Sequence, residues 1–150
     1  MEKIYNYKKS ESGRVFYFKS IGPNGVIPKA VIFKEVDPGQ YNLALISKLK
    51  GAWQDKELTG NDDMHKTFRT IHQIFNEFIA AFPYALVYIE GNTVDKDGVE
   101  VSKNIVYQRA IAGLLTELRL SGFNVGGYGA NGWEMFEKGK SYDAFFVTKG

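Results

Sequence analysis

Apolar residues in this chain change their spacing from two to three-and-four and back, and that switch restricts the fold more than any other feature. Val15-Phe16-Tyr17-Phe18 is β-branched and aromatic, as strands prefer, and Ile21-Gly22-Pro23-Asn24-Gly25 breaks it. Lys29-Ala30-Val31-Ile32-Phe33-Lys34 reads as a second strand, ended by Asp37-Pro38-Gly39. Tyr41, Leu43 and Leu45 alternate with Asn42 and Ala44 as a third. Spacers this short favour antiparallel neighbours. Ile4-Tyr5-Asn6-Tyr7 is placed to add an edge strand.

The period then lengthens. After a polar loop from Gly51 to Asn61, with Trp53 and Leu58 as its anchors, Asp62 or Asp63 is placed to cap a helix. Met64, Phe68, Ile71, Phe75, Phe78 and Phe82 form its apolar face, and Pro83 stops it. Ala85-Leu86-Val87-Tyr88-Ile89 has the near-continuous apolar character of a central strand buried on both faces. A loop from Gly91 to Ser102 leads to a second helix, Lys103 to Ser121, with Tyr107, Ile111, Leu114, Leu115 and Leu118 on one face and Gly122 as its C-terminal cap. Trp133–Phe136 and Tyr142–Val147 are expected to pair as a closing hairpin. The order β-β-β-α-β-α-β-β predicts an α+β fold of two layers, a mainly antiparallel sheet with two helices packed on one face.

At 150 residues the expectation is one domain, residues 1–150, large enough to bury a core without staples. There is no cysteine, which excludes disulfides, zinc-thiolate sites and thiol nucleophiles. No apolar run approaches the roughly 20 residues that cross a bilayer, and Met1-Glu2-Lys3-Ile4-Tyr5 lacks the apolar stretch of a secretory signal. A cytoplasmic protein without membrane contact is expected. Charge is uneven: residues 1–50 hold nine Lys and Arg against four Asp and Glu, so the first third is basic. Such a segment suits an acidic partner; Lys8, Lys9, Lys19, Lys29 and Lys34 would equally solubilise strand edges and turns.

Motifs for chemistry are few. His65 and His72 share a helix face with Arg69 and Asn76. Seven residues separate the two histidines by about 10.5 Å along a helix, too far to chelate one metal ion, so no metal site is expected. His65 or His72 is the candidate general base, His72 being the one named for a pocket, and both positions are ordinary for the solvated shoulder of a helix. Gly127-Tyr128-Gly129-Ala130-Asn131-Gly132 matches a dinucleotide fingerprint in letters, but it follows a helix and leads into a strand, the reverse of what that fingerprint requires. Its glycines are read as turn residues of positive φ, and no cofactor is expected. Asp95-Lys96-Asp97-Gly98-Val99-Glu100 lacks the spacing of a calcium loop and reads as a turn. Gly91-Asn92-Thr93 follows the expected central strand and precedes a helix start. Asn92, Thr93, Lys103 and Arg109 are therefore the candidate ligands for an anion such as phosphate.

Several stretches together resemble a family of small bacterial proteins described as a domain of unknown function. They are Phe16-Tyr17-Phe18-Lys19-Ser20-Ile21-Gly22, Ile27-Pro28-Lys29, Tyr41-Asn42-Leu43-Ala44, Asp63 through Pro83, Gly91-Asn92-Thr93, Tyr107, and Trp133-Glu134-Met135-Phe136 through Tyr142-Asp143-Ala144-Phe145. The family pattern follows a G-S-T turn with two arginines one residue apart, then Leu-Tyr. Here Asn92 replaces the serine, residues 94–101 are inserted, Lys103 matches the first arginine and Ile105 the second, so one cation is lost. The resemblance implies one whole-chain domain and no particular activity.

Two functions stand at this level. The first is a binding or interaction module for nucleic acid or protein, using aromatics interleaved with lysine such as Tyr5, Tyr7, Phe16 and Tyr17; a homodimer that hides an edge strand is a structural variant of it. The second is a small enzyme or ligand-binding domain for a phosphate-bearing substrate, with its pocket near residues 91–109 and His72 as acid–base group.

Overall fold

The structure is a computed structural model that describes residues 4–49, 51–54, 63–90, 92–94, 100–102, 111–112 and 115–149. It is an α+β fold with a mainly antiparallel sheet and two helices, in the order read from the sequence. Its contacts divide it into two compact units. One comprises Met1–Lys34 and Ala44–Phe82, the other Glu35–Leu43 and Pro83–Gly150.

The first unit contains β1 (Tyr7–Lys9), β2 (Val15–Gly22), the start of β3 (Gly25–Asp37), the end of β4 (Gln40–Leu49), β5 (Ala52–Gln54) and α1 (Met64–Ala81). Its strands pair in the order β1-β2-β3-β4, with β5 on β4. Along β2 the side chains alternate: Phe16, Phe18 and Ser20 are buried, while Tyr17, Lys19 and Ile21 are exposed. The buried face packs on α1. Phe33 of β3 stacks on Phe78 of α1 with ring centroids 3.9 Å apart and planes inclined by 4°, and it meets Phe75 edge-on at 5.5 Å.

The buried stripe of α1 is rotated from the expected one. Thr67, Thr70, Ile74, Phe75, Phe78 and Ile79 are buried, whereas Phe68, Ile71 and Phe82 are half-buried. Thr70 enters the core because it is bonded there: its Oγ1 accepts from the Tyr5 N–H at 2.8 Å and donates to the Lys66 carbonyl. Asp63 does stand at the N-cap, but its side chain makes no capping bond. Its Oδ2 instead accepts from the Tyr5 hydroxyl at 2.6 Å and from the Ser20 hydroxyl. The helix ends at Ala81, two residues before Pro83, as expected.

The second unit contains the end of β3, the start of β4, β6 (Leu86–Glu90), β7 (Asn92–Val94), β8 (Glu100–Ser102), β9 (Phe123–Gly129), β10 (Gly132–Met135) and β11 (Ala144–Lys149). A helix, α2, is described at residues 111–112 and 115–120. The main strands run β4-β6-β11-β9-β10, antiparallel except for β4 with β6. Strand β6 is interior, as expected. Val87 and Ile89 are buried, but Leu86 and Tyr88 are only half-buried, so one face is partly open. Ile111, Leu115 and Leu118 of α2 are buried, and Gly122 ends that helix at φ +86°; residues 103–110, and Leu114, lie outside the described residues.

Two expectations are corrected here. Strand β10 pairs with β9, not with β11, which lies between β6 and β9. The two-residue connection Ala130-Asn131 closes the β9–β10 hairpin with Gly132 opposite Gly129, a far shorter loop than residues 136–143 offer. Within the glycine-rich stretch, Gly132 has the positive φ of a turn, +83°. Gly127 is there for a different reason: a Cβ would lie 2.4 Å from the ring of Tyr142. The stretch thus runs from one strand through a turn into another.

Candidate functional site

The anion site expected near residues 91–109 divides as follows. The backbone of Asn92 and Thr93 forms β7, which pairs antiparallel with β8, Asn92 opposite Ser102 and Thr93 opposite Val101. A small ladder therefore replaces the expected loop. Lys103 and Arg109 lie outside the described residues, as do Asp95 through Val99. His72 is a half-buried residue of α1 in the first unit. His65 is exposed, and its Nε2 accepts from Arg69 Nε at 2.8 Å. Among the described residues no three His, Asp or Glu come together as a metal site would require.

The structure brings another set together, on the sheet face of the first unit turned away from Phe16 and Phe18. Tyr17 and Trp53 are exposed by 45% and 43%, yet their ring centroids lie 6.4 Å apart with planes inclined by 53°. Strands β2 and β5 are separated by β3 and β4, roughly 14 Å at about 4.8 Å per strand step. The two side chains therefore meet by leaning toward each other across the middle strands. The residue opposite Tyr17 on β3 is Ala30, small enough to leave that space.

Each ring has a lysine directly across the ladder. Lys8 of β1 is opposite Tyr17, and Lys48 of β4 is opposite Trp53. Directly opposed residues of an antiparallel pair have Cβ atoms about 4.5–5.5 Å apart, so each lysine is rooted beside its ring. Lys48 Nζ lies 6.0 Å from the centroid of the Trp53 ring, within cation–π range. Lys19, two residues along β2 from Tyr17, faces the same way and adds a third cation.

A groove of about 760 Å3 takes in Lys8, Tyr17, Lys19 and Trp53 together with Lys29 and Lys66. Among its described lining residues there are four lysines and no carboxylate. Lys29 is 3% exposed, and its Nζ donates to Ser47 Oγ at 2.9 Å. Lys66 Nζ stands 4.3 Å from the centre of the Tyr5 ring.

The groove edge formed by Tyr5 and Tyr7 is tied to α1 through carboxylates. Besides the Tyr5–Asp63 bond, the Tyr7 hydroxyl donates to Glu77 Oε1 at 3.0 Å and Lys9 pairs with Glu77 at 3.3 Å. Burial, then the hydrogen bond to Asp63, raises the Tyr5 phenol above its ordinary range; burial, then Glu77, does the same to Tyr7. Both phenols are held neutral, as donors.

Of the aromatics that the sequence offered for stacking, Phe16 and Tyr5 are core residues and Tyr7 is half-buried; Tyr17 is exposed. The signal for that choice lies in β2, where Tyr17 shares its parity with Lys19 and the core shares the other. Trp53 has no such signal, because a three-residue strand is too short to show alternation.

No curated protein and no solved structure matches the chain. No helix among the described residues is long and apolar enough to cross a membrane. A family model does match, over residues 1–150, and on that match the chain belongs to the family described as Family of unknown function (DUF6934).

Proposed function

We propose that the chain is a binding module for single-stranded nucleic acid, working through the outward sheet face of its first unit. The observation that carries this reading is the repeated aromatic–lysine pair, Tyr17 with Lys8 and Trp53 with Lys48. A single strand offers a flat base and a phosphate in each nucleotide, and a ring with a lysine rooted beside it meets both. Bases stack on aromatic faces whatever their identity, while a basic groove follows the backbone. Duplex bases are covered by their neighbours and cannot reach the rings, so the same face prefers single strands.

Titration with a single-stranded oligonucleotide and its duplex at increasing salt tests the reading. Three lysines on the face, each neutralising one phosphate, give a slope of log K against log salt of roughly −2, at about −0.7 per phosphate for single strands. Removing Lys8 or Lys48 should flatten that slope. Absence of binding at low salt, or a preference for the duplex, sinks the proposal.

A further inference from the structure

The inclination of the two rings carries a consequence for which strands the face accepts, one that rests on the nucleic-acid reading above. Bases in a stacked strand lie parallel, about 3.4 Å apart. The Tyr17 and Trp53 rings are 6.4 Å apart and inclined by 53°. Two adjacent bases that each lie flat on one of these rings cannot also lie flat on each other. Occupying both rings breaks one base–base step of the ligand.

We infer that this face selects weakly self-stacked, pyrimidine-rich single strands over purine-rich ones. The protein offers the same two rings and the same cations to either. The difference is what the ligand gives up: purine runs lose a strong stack and pyrimidine runs a weak one, and preferences of this type follow from stacking strength without any reading of base edges. Sugar identity does not enter the argument, so deoxythymidine and uridine runs share the relevant chemistry.

The two tryptophans make the experiment direct, since Trp53 is in the first unit and Trp133 in the second. In a Trp133→Phe variant the remaining fluorescence reports the proposed site. Oligo(dT), oligo(U) and oligo(dA) of equal length are titrated at one low salt concentration. Oligo(dT) and oligo(U) should bind about fivefold more tightly than oligo(dA), the ratio for roughly 1 kcal/mol of ligand stacking. Equal or tighter binding of oligo(dA) overturns the selectivity and leaves single-strand binding standing. No quenching by any of the three overturns both.

A second variant keeps the cause in view. Tyr17→Ala leaves one ring, which two bases no longer need to share. Affinity for oligo(dT) should fall, and the dT-to-dA ratio should fall toward one. A ratio that survives in a Tyr17→Ala protein of unchanged melting temperature assigns the selectivity to something other than the ring pair and overturns the inference.

Discussion

Each unit exposes an aromatic cluster built around a tryptophan, and the two clusters differ in what surrounds the ring. Trp53 has Tyr17 beside it and Lys48 across the ladder. Trp133 has Tyr128 across the ladder and packs against Tyr88, Tyr128 and Phe146 at centroid distances of 5.9, 5.1 and 5.3 Å. The rings are similarly exposed, 43% and 48%. Exposure alone therefore does not distinguish them, and the position of the cations does. A ring with a lysine opposite can meet a base and its phosphate together. A ring held against three other rings offers apolar area, with no cation over it among the described residues. Ladder register decides this: a one-residue slip of β5 against β4 would turn Trp53 to the other face, away from Lys48.

The largest test concerns what the first cluster stands on. Phe33 and Phe78 are 1% exposed and stacked in the layer between sheet and α1. Phe78→Ala should cost about 3–5 kcal/mol, the usual range for truncating a fully buried phenylalanine. Denaturant unfolding followed by Trp53 fluorescence in the Trp133→Phe background measures it. A loss below about 1 kcal/mol would mean that this stack does not anchor the sheet carrying Tyr17.

A second test separates the two tryptophans directly. Trp53→Ala should weaken single-strand binding by about 1–3 kcal/mol, the usual contribution of one base–aromatic contact. Trp133→Ala, with folding verified by circular dichroism, should leave affinity unchanged. Anisotropy with a labelled oligonucleotide reads both without using protein fluorescence. Equal losses in the two variants would erase the distinction between the clusters.

Much of this was legible from the chain, for identifiable reasons. Strand β2 is eight residues long, enough for period two to assign Tyr17 and Lys19 to one face and Phe16 and Phe18 to the other. The existence of α1 followed from spacing, but its buried stripe did not. Thr67 and Thr70 read as polar until Tyr5, some 65 residues away, supplies the bond that brings Thr70 into the core. That Asp62 or Asp63 stands at the start of α1 was legible too, while the bonds of Asp63 to Tyr5 and Ser20 depend on contacts that local sequence does not encode. The site itself was half legible. Basic charge and aromatics in the first fifty residues were visible, but the Tyr17–Trp53 pair needs β5, whose three residues are too few to reveal a strand.

The smallest effect concerns the phenols at the groove edge of the first unit. Tyr5 and Tyr7 have raised pKa values in the fold, by burial first and then by bonds to Asp63 and Glu77. An unfolded tyrosine titrates near 10. A group whose folded pKa lies above its unfolded value contributes stability that is fully present below the unfolded pKa and is lost as pH rises through the folded one. The first unit should therefore keep this contribution up to about pH 10 and lose it progressively above, as ionised phenolates come to oppose the carboxylates they had bonded. Below pH 10 the phenols should add no slope to stability. Tyr5→Phe removes one titrating group along with its bond to Asp63: it should lower stability slightly at neutral pH and flatten the alkaline decline. Denaturation midpoints between pH 8 and 12, read by Trp53 in the Trp133→Phe background, check both signs. An equally steep decline in Tyr5→Phe would place the alkaline sensitivity elsewhere than at the Tyr5–Asp63 bond.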